Sequence, residues 1–154
     1  MEKNKTDFAA FKEEISNSFF FQIHRMKRTI FRHTNALMTE SGINLQLEQL
    51  PLIMILQRKS LSQRELSDMT MRDKSSILRS INALEKKALV EVQKDKSDKR
   101  KNIVSLTEEG SNLAKRIRIL MNQAEDEVLA VFSADERKEA LETIRGYADK
   151  LDTL

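Results

Sequence analysis

Ser62-Gln63-Arg64-Glu65-Leu66-Ser67-Asp68-Met69-Thr70, followed after a short polar break by Lys74-Ser75-Ser76-Ile77-Leu78-Arg79-Ser80-Ile81-Asn82-Ala83-Leu84-Glu85-Lys86-Lys87, decides the fold. Ser62 and Glu65 stand at capping-box spacing: the Ser62 hydroxyl accepts from the Glu65 backbone N–H while the Glu65 carboxylate accepts from the Ser62 N–H. A short helix starts there. Residues Thr70 to Asp73 interrupt it, and Asp73 is a good N-cap for a second helix. On a wheel of about 100° per residue, Ile77, Ile81 and Leu84 fall together, and Ser75, Ser76, Arg79, Ser80, Lys86 and Lys87 lie on the other side. The small hydroxyls allow close approach, and Arg79 one turn later has the length to reach base edges or phosphate in a major groove. A solvated basic face satisfies the same pattern, so this helix alone leaves both readings open.

Leu89-Val90-Glu91-Val92-Gln93-Lys94 alternates as a half-buried strand does, Asp95-Lys96-Ser97-Asp98-Lys99-Arg100 is a polar turn, and Lys101-Asn102-Ile103-Val104-Ser105-Leu106 alternates again. This predicts a β-hairpin with a basic tip. Thr107-Glu108-Glu109-Gly110 then opens another helix, with Thr107 as cap and two carboxylates at the positive end of the helix dipole. Two short helices followed by a basic hairpin is the order that a winged helix-turn-helix uses to read DNA.

These residues resemble the MarR (multiple antibiotic resistance regulator) family of transcription factors. The matching stretches are Leu84-Glu85-Lys86-Lys87-Ala88-Leu89-Val90, the Asp98-Lys99-Arg100 of the wing and Leu106-Thr107-Glu108-Glu109-Gly110. With the flanking helices the resemblance extends over nearly the whole chain. Three positions depart from the family pattern. Ala88 stands where the family has a glycine, a costly exchange if the helix-to-strand turn needs a positive φ. Lys96 replaces a common wing proline, and Gln46 sits where a Thr or Ser usually caps the preceding helix.

A chain of 154 residues with three glycines and one proline leaves little room for linkers, and no internal repeat is visible. Cysteine is absent, which excludes disulfides and thiol redox sensing on this chain. No run of about 18 apolar residues occurs, and Met1-Glu2-Lys3-Asn4-Lys5 is not followed by a signal-peptide core, so a cytoplasmic protein with no membrane partner is expected. The net charge of +3 is unevenly placed: residues 1–71 carry +2, residues 72–102 carry +5 and residues 103–154 carry −4. Such asymmetry suits a protein that turns one face to a polyanion.

Phe8, Phe11, Ile15, Phe19, Ile23, Met26 and Ile30 recur at three- and four-residue steps, which predicts one long helix ending near Gly42. From Phe8 to Met38 it would measure about 46 Å, too long to bury its stripe on a small lobe. Near the other end Leu113, Ile117, Leu120, Ala124, Val128 and Leu129 form one stripe. Ser133-Ala134-Asp135-Glu136 is a second capping box, and Leu141, Ile144, Ala148 and Leu151 follow at heptad-like spacing. The expectation is a homodimer in which N- and C-terminal helices of two subunits interdigitate, with an intramolecular bundle as the alternative. Residues 46–57 predict the helix before the helix-turn-helix, with Leu47, Leu50, Ile53, Met54 and Leu56 largely buried. Pro51 removes a backbone donor there, so that helix either begins late or bends.

His24 and His33 are too far apart for an i, i+4 metal pair, and no catalytic triad, phosphate-binding glycine loop or nucleotide fingerprint is present. No metal, no cofactor and no enzymatic activity are expected. The family resemblance implies a crevice between the first helix and the DNA-reading lobe for a small aromatic or anionic effector. Arg25, Arg28 or Arg32 would pair with the ligand's carboxylate or phenolate, and Phe31 and Met54 would give apolar wall. It also implies that Arg100 reaches the minor groove while Asp98 fixes the turn beneath it.

The expected fold is mainly α with a small β-hairpin: a dimerisation helix at 1–44, a winged helix-turn-helix lobe at 45–106 and C-terminal helices at 107–154 completing the dimerisation region. The expected partner is double-stranded DNA, met by Arg72, Lys74, Ser75, Ser76, Arg79 and Ser80 from the helix-turn-helix and by Lys96, Lys99, Arg100 and Lys101 from the wing. The expected function is that of a ligand-responsive repressor on a palindromic operator. The alternative is an interaction or architectural module that uses the same fold without specific operator recognition.

Overall fold

The computed structural model describes residues 11–153. Two compact units divide the chain, Met1–Glu48 and Gln49–Leu154. In the first, residues 11–16 are helical and the principal helix, α1, runs Phe19–Glu40. The single long helix expected from the apolar spacing is therefore interrupted at Asn17 and Ser18, and its first apolar position, Phe8, lies outside the described residues. Ser18 has extended backbone (φ −72°, ψ 129°), a conformation that Asn and Ser favour because their short polar side chains compete for local backbone groups. The other end of α1 closes on Gly42 at φ +65°, where the Ile43 N–H donates to the Met38 carbonyl (2.8 Å) and the Gly42 N–H to that of Thr39 (3.1 Å).

A 3₁₀ turn, Leu47–Gln49, spans the boundary between the units, and the second unit continues with α2 (Leu50–Leu56). Pro51 falls in the first turn of α2, where no intrahelical donor is needed, so this helix begins late rather than bending. Then come β1 (Leu61–Ser62), α3 (Gln63–Thr70), α4 (Lys74–Lys86), β2 (Val90–Lys94), β3 (Asn102–Leu106), α5 (Glu108–Leu129) and α6 (Ala134–Leu151). The predicted hairpin is present, antiparallel, with Val90 opposite Leu106, Val92 opposite Val104 and Lys94 opposite Asn102. The sheet has a third strand that the hairpin pattern did not predict: β1 pairs with β3, Leu61 facing Val104, in the order β1-β3-β2. Two residues are too few to show an alternating pattern in sequence.

The core of this unit is built from Leu52, Ile53, Leu66, Ile77, Leu84, Val104 and Ile117, all fully buried, with α2 against α5 and α3 against α4. One side chain leaves its expected place. Met54, expected inside α2, is 36% exposed, because Leu52 and Ile53 take the inward positions of that short helix. On α5 the buried row is Ala114, Ile117, Leu120 and Ala124, with Leu113 only half-buried.

Gly110 has a packing reason: a Cβ at that position would lie 1.9 Å from the Leu89 carbonyl oxygen, which already accepts from the Thr107 N–H at 3.1 Å. The corner between α4 and β2 is closed by the Leu89 N–H on the Leu84 carbonyl (3.0 Å) and the Ala88 N–H on that of Glu85 (2.8 Å). Its geometry is that of the Gly42 turn, and it forces Ala88 to φ +55°, the left-handed value that glycine adopts freely. The loss of glycine there is thus a real conformational cost.

Candidate nucleic-acid interface

Both helices of the helix-turn-helix start on the caps read from sequence. The Ser62 N–H and hydroxyl donate to the Glu65 carboxylate at 2.8 and 2.7 Å, and these bonds, the hydroxyl's first, hold the Glu65 carboxyl below its ordinary value. At α4 the Asp73 carboxylate accepts from the Ser75 hydroxyl (2.5 Å) and the Ser76 N–H (2.8 Å), which lowers its carboxyl likewise. The Gln63 amide donates to the Lys74 carbonyl at 2.9 Å, tying the two helix starts together.

Between them Met71 turns the chain at φ +51°, and Arg72 folds back along α4. Its Nη2 donates to the Ser76 hydroxyl at 2.7 Å and the Ser80 hydroxyl at 3.0 Å. This corrects one expectation, the outward place of Ser80. Ser80, placed on the outward face by the wheel, is 8% exposed, because it lies on the boundary of that face and the Arg72 guanidinium covers it. Arg72, expected to face DNA, is half-buried and braces the turn against α4 through the side chains of that helix. What α4 presents outward is Lys74, Ser75, Leu78, Arg79, Asn82, Glu85 and Lys86, followed by the exposed C-cap Lys87, with Ser76 half-buried.

The wing tip is organised by Asp95. Its carboxylate accepts from the Ser97 hydroxyl (2.5 Å), the Asp98 N–H (2.7 Å) and the Ser97 N–H (2.8 Å), which together hold its carboxyl below the ordinary value. Asp98 accepts from the Arg100 backbone N–H at 3.0 Å. It thus fixes the chain under Arg100, while Asp95 closes most of the turn. Lys96, Lys99, Arg100 and Lys101 are exposed. Between wing and helix-turn-helix lies a cleft of about 920 Å³ whose lining cations are Lys59, Arg64, Lys74, Arg100 and Lys101, against Glu65 and Asp95. Lys59 and Arg64 were not read from sequence: Lys59 belongs to no motif, and Arg64 sits at i, i+4 from Asp68 (3.9 Å), as an ordinary surface pair would.

Of the residues expected at an effector crevice, Arg28, Phe31 and Arg32 line one groove of about 470 Å³ along α1, with His24, Lys27 and Asn35. Lys27 Nζ stands 5.3 Å from the Phe31 ring centroid. Arg25 is exposed elsewhere on α1, and Met54 belongs to the other unit. Among the described residues no cluster of His, Asp and Glu is suited to a metal ion, and no helix is long and apolar enough to cross a membrane.

Residues 41–101 match the sequence model of the MarR family. The fold is similar to that of the PcaV transcriptional regulator of Streptomyces coelicolor in complex with its natural ligand (22% identity, TM-score 0.78, covering 88% of this chain and 94% of that one). It is similar to Bordetella bronchiseptica BpsR, whose DNA binding is regulated by 6-hydroxynicotinic acid (20%, 0.77, 87% and 95%). A MarR transcriptional regulator of Methanosarcina mazei Go1 matches as well (23%, 0.74, 86% and 96%). No curated protein matches the chain by sequence.

Proposed function

We propose that the chain is a ligand-responsive repressor that binds a palindromic operator as a homodimer, a reading supported by the match of residues 41–101 to the MarR family model and by the similarity of its fold to that of the PcaV transcriptional regulator. The observation that carries the DNA reading is the outward strip of α4. Ser75, Arg79, Asn82 and Lys86 are exposed on a helix whose other face is core, beside a wing of exposed cations in the segment of net charge +5. In this reading Lys74, Ser75, Ser76 and Arg79 enter or border the major groove, Arg100 reaches the adjacent minor groove, and Lys96, Lys99 and Lys101 meet phosphates.

The dimer reading is supported by α6. Leu141, Ile144, Tyr147 and Leu151 are each at least half exposed, and the helix buries no residue, although it carries a stripe at helical spacing. Phe19, Ile23 and Met26 on α1 are also exposed. Exposed apolar rows of this kind mark interaction surfaces. For the effector, the α1 groove joins Arg28 and Arg32 to the Phe31 ring, groups complementary to a small aromatic acid.

Selection from random duplex DNA, followed by footprinting on the recovered sequence, tests the regulator. Protection of an inverted repeat with half-sites about 34 Å apart is expected. Purely non-specific, salt-sensitive binding would refute it. Light scattering at micromolar concentration should give twice the 17.9 kDa chain mass, and a monomer refutes the dimer. Release of DNA by aromatic acids, abolished in Arg28→Ala, tests the effector groove.

A further inference from the structure

We propose that Leu78 reads DNA sequence directly, by packing against the 5-methyl group of a thymine in the major groove; the inference rests on the DNA-binding reading above. Three of the four large apolar side chains of α4, Ile77, Ile81 and Leu84, are buried, whereas Leu78 is 45% exposed. It stands on the strip formed by Ser75, Arg79 and Asn82, at i, i+3, i+4 and i+7 steps, so its neighbours are hydroxyl, guanidinium and amide groups. The exposed part of that leucine is apolar surface that the lobe's own core does not cover.

The charge around it selects the occupant. Lys74, Arg79 and Lys86 are exposed on the same helix against one exposed carboxylate, Glu85, in the segment of net charge +5, so the complementary surface is a polyanion rather than an apolar protein groove. Base edges in the major groove of DNA are hydrogen-bond donors and acceptors, with the thymine methyl as the distinct apolar group, and that groove admits a helix. Double-stranded RNA fails on both counts, since its major groove is too narrow for side chains to read and uracil lacks the methyl. Leu78 therefore confers a preference for thymine at one position of each half-site, which none of the charged residues can provide.

The test uses the duplex that the full-length protein selects from a random pool. Each thymine of a half-site is replaced singly by deoxyuridine, which deletes the methyl and keeps every hydrogen-bonding group, and affinities are measured at one salt concentration. One replacement should weaken the parent protein about fourfold, the worth of a buried methyl or methylene. The same replacement should leave Leu78→Ala and Leu78→Gln unaffected, with thermal melting confirming that both variants fold. The salt slope of Leu78→Ala should equal that of the parent, because no phosphate contact is lost. If deoxyuridine weakens the variants as much as the parent, or no thymine methyl matters, the inference is overturned while sequence-specific binding stands. If the pool yields no preferred sequence, both the inference and the DNA-reading proposal fall.

Discussion

Replacing Ala88 with glycine should make this protein more stable, although it removes a side-chain atom and touches nothing in the core. Ala88 is exposed and held at φ +55° by the two hydrogen bonds that close α4, from Leu89 to Leu84 and from Ala88 to Glu85. An L-residue pays about 1–2 kcal/mol in the left-handed region. Glycine escapes that cost but loses about 0.5–1 kcal/mol more backbone entropy on folding. The difference is a net gain of about 0.5–1 kcal/mol. The molecule contains its own control in Gly42, which closes α1 with the same hydrogen-bond pattern at φ +65°. Urea unfolding at fixed protein concentration should show a higher midpoint with an unchanged m value. With m near 2 kcal/mol/M, the shift is about 0.3–0.5 M. Ala83→Gly, placed inside the same helix, should lower stability by about 1 kcal/mol. An unchanged or lowered midpoint for Ala88→Gly would refute the strain argument, and a changed m value would assign the effect to the unfolded chain instead.

Gly110→Ala should destabilise by about 1–3 kcal/mol in the same assay, since its Cβ would meet the Leu89 carbonyl at 1.9 Å and backbone must move to admit it. Arg72→Ala should lose about 2 kcal/mol of folding stability and weaken DNA binding with no change in salt slope, because its guanidinium serves Ser76 and Ser80; a slope reduced by about 1 would show a phosphate contact instead. Arg72→Lys should not rescue it, as an ammonium lacks the planar fork. The carboxyls of Glu65, Asp73, Asp95 and Glu136 are all held below their ordinary values by hydrogen bonds from serines and nearby backbone. Their contribution is complete above the ordinary carboxylate range and lost as pH falls through the lowered values, so unfolding midpoints should fall in acid. Asp73→Asn, which keeps a capping oxygen but cannot titrate, should show a shallower fall, and a parallel one would refute the assignment at that cap.

The local elements were legible because their causes are local. Ser62 with Glu65, Asp73, Thr107 and Ser133 with Glu136 each satisfy backbone donors within three residues, so a capping pattern in sequence is already a statement about geometry. The inward face of α4 and the alternation of β2 and β3 followed from period alone, and even the demand for positive φ at Ala88 showed as a glycine missing from a known pattern. What depended on partners distant in sequence was not legible. Period gave Ser80 an outward place, and only the folded turn shows that Arg72 lies over it. The strand of Leu61 and Ser62 exists through its pairing with Val104 and Ile103. Lys59 and Arg64 join Arg100 in one cleft because the sheet brings the wing alongside the start of α3. Helix and turn signals arise within a few residues, where chain entropy is small and a cap or apolar period decides the outcome. Side-chain exposure and the company of charges depend on which distant segments pack together, which only the tertiary structure decides.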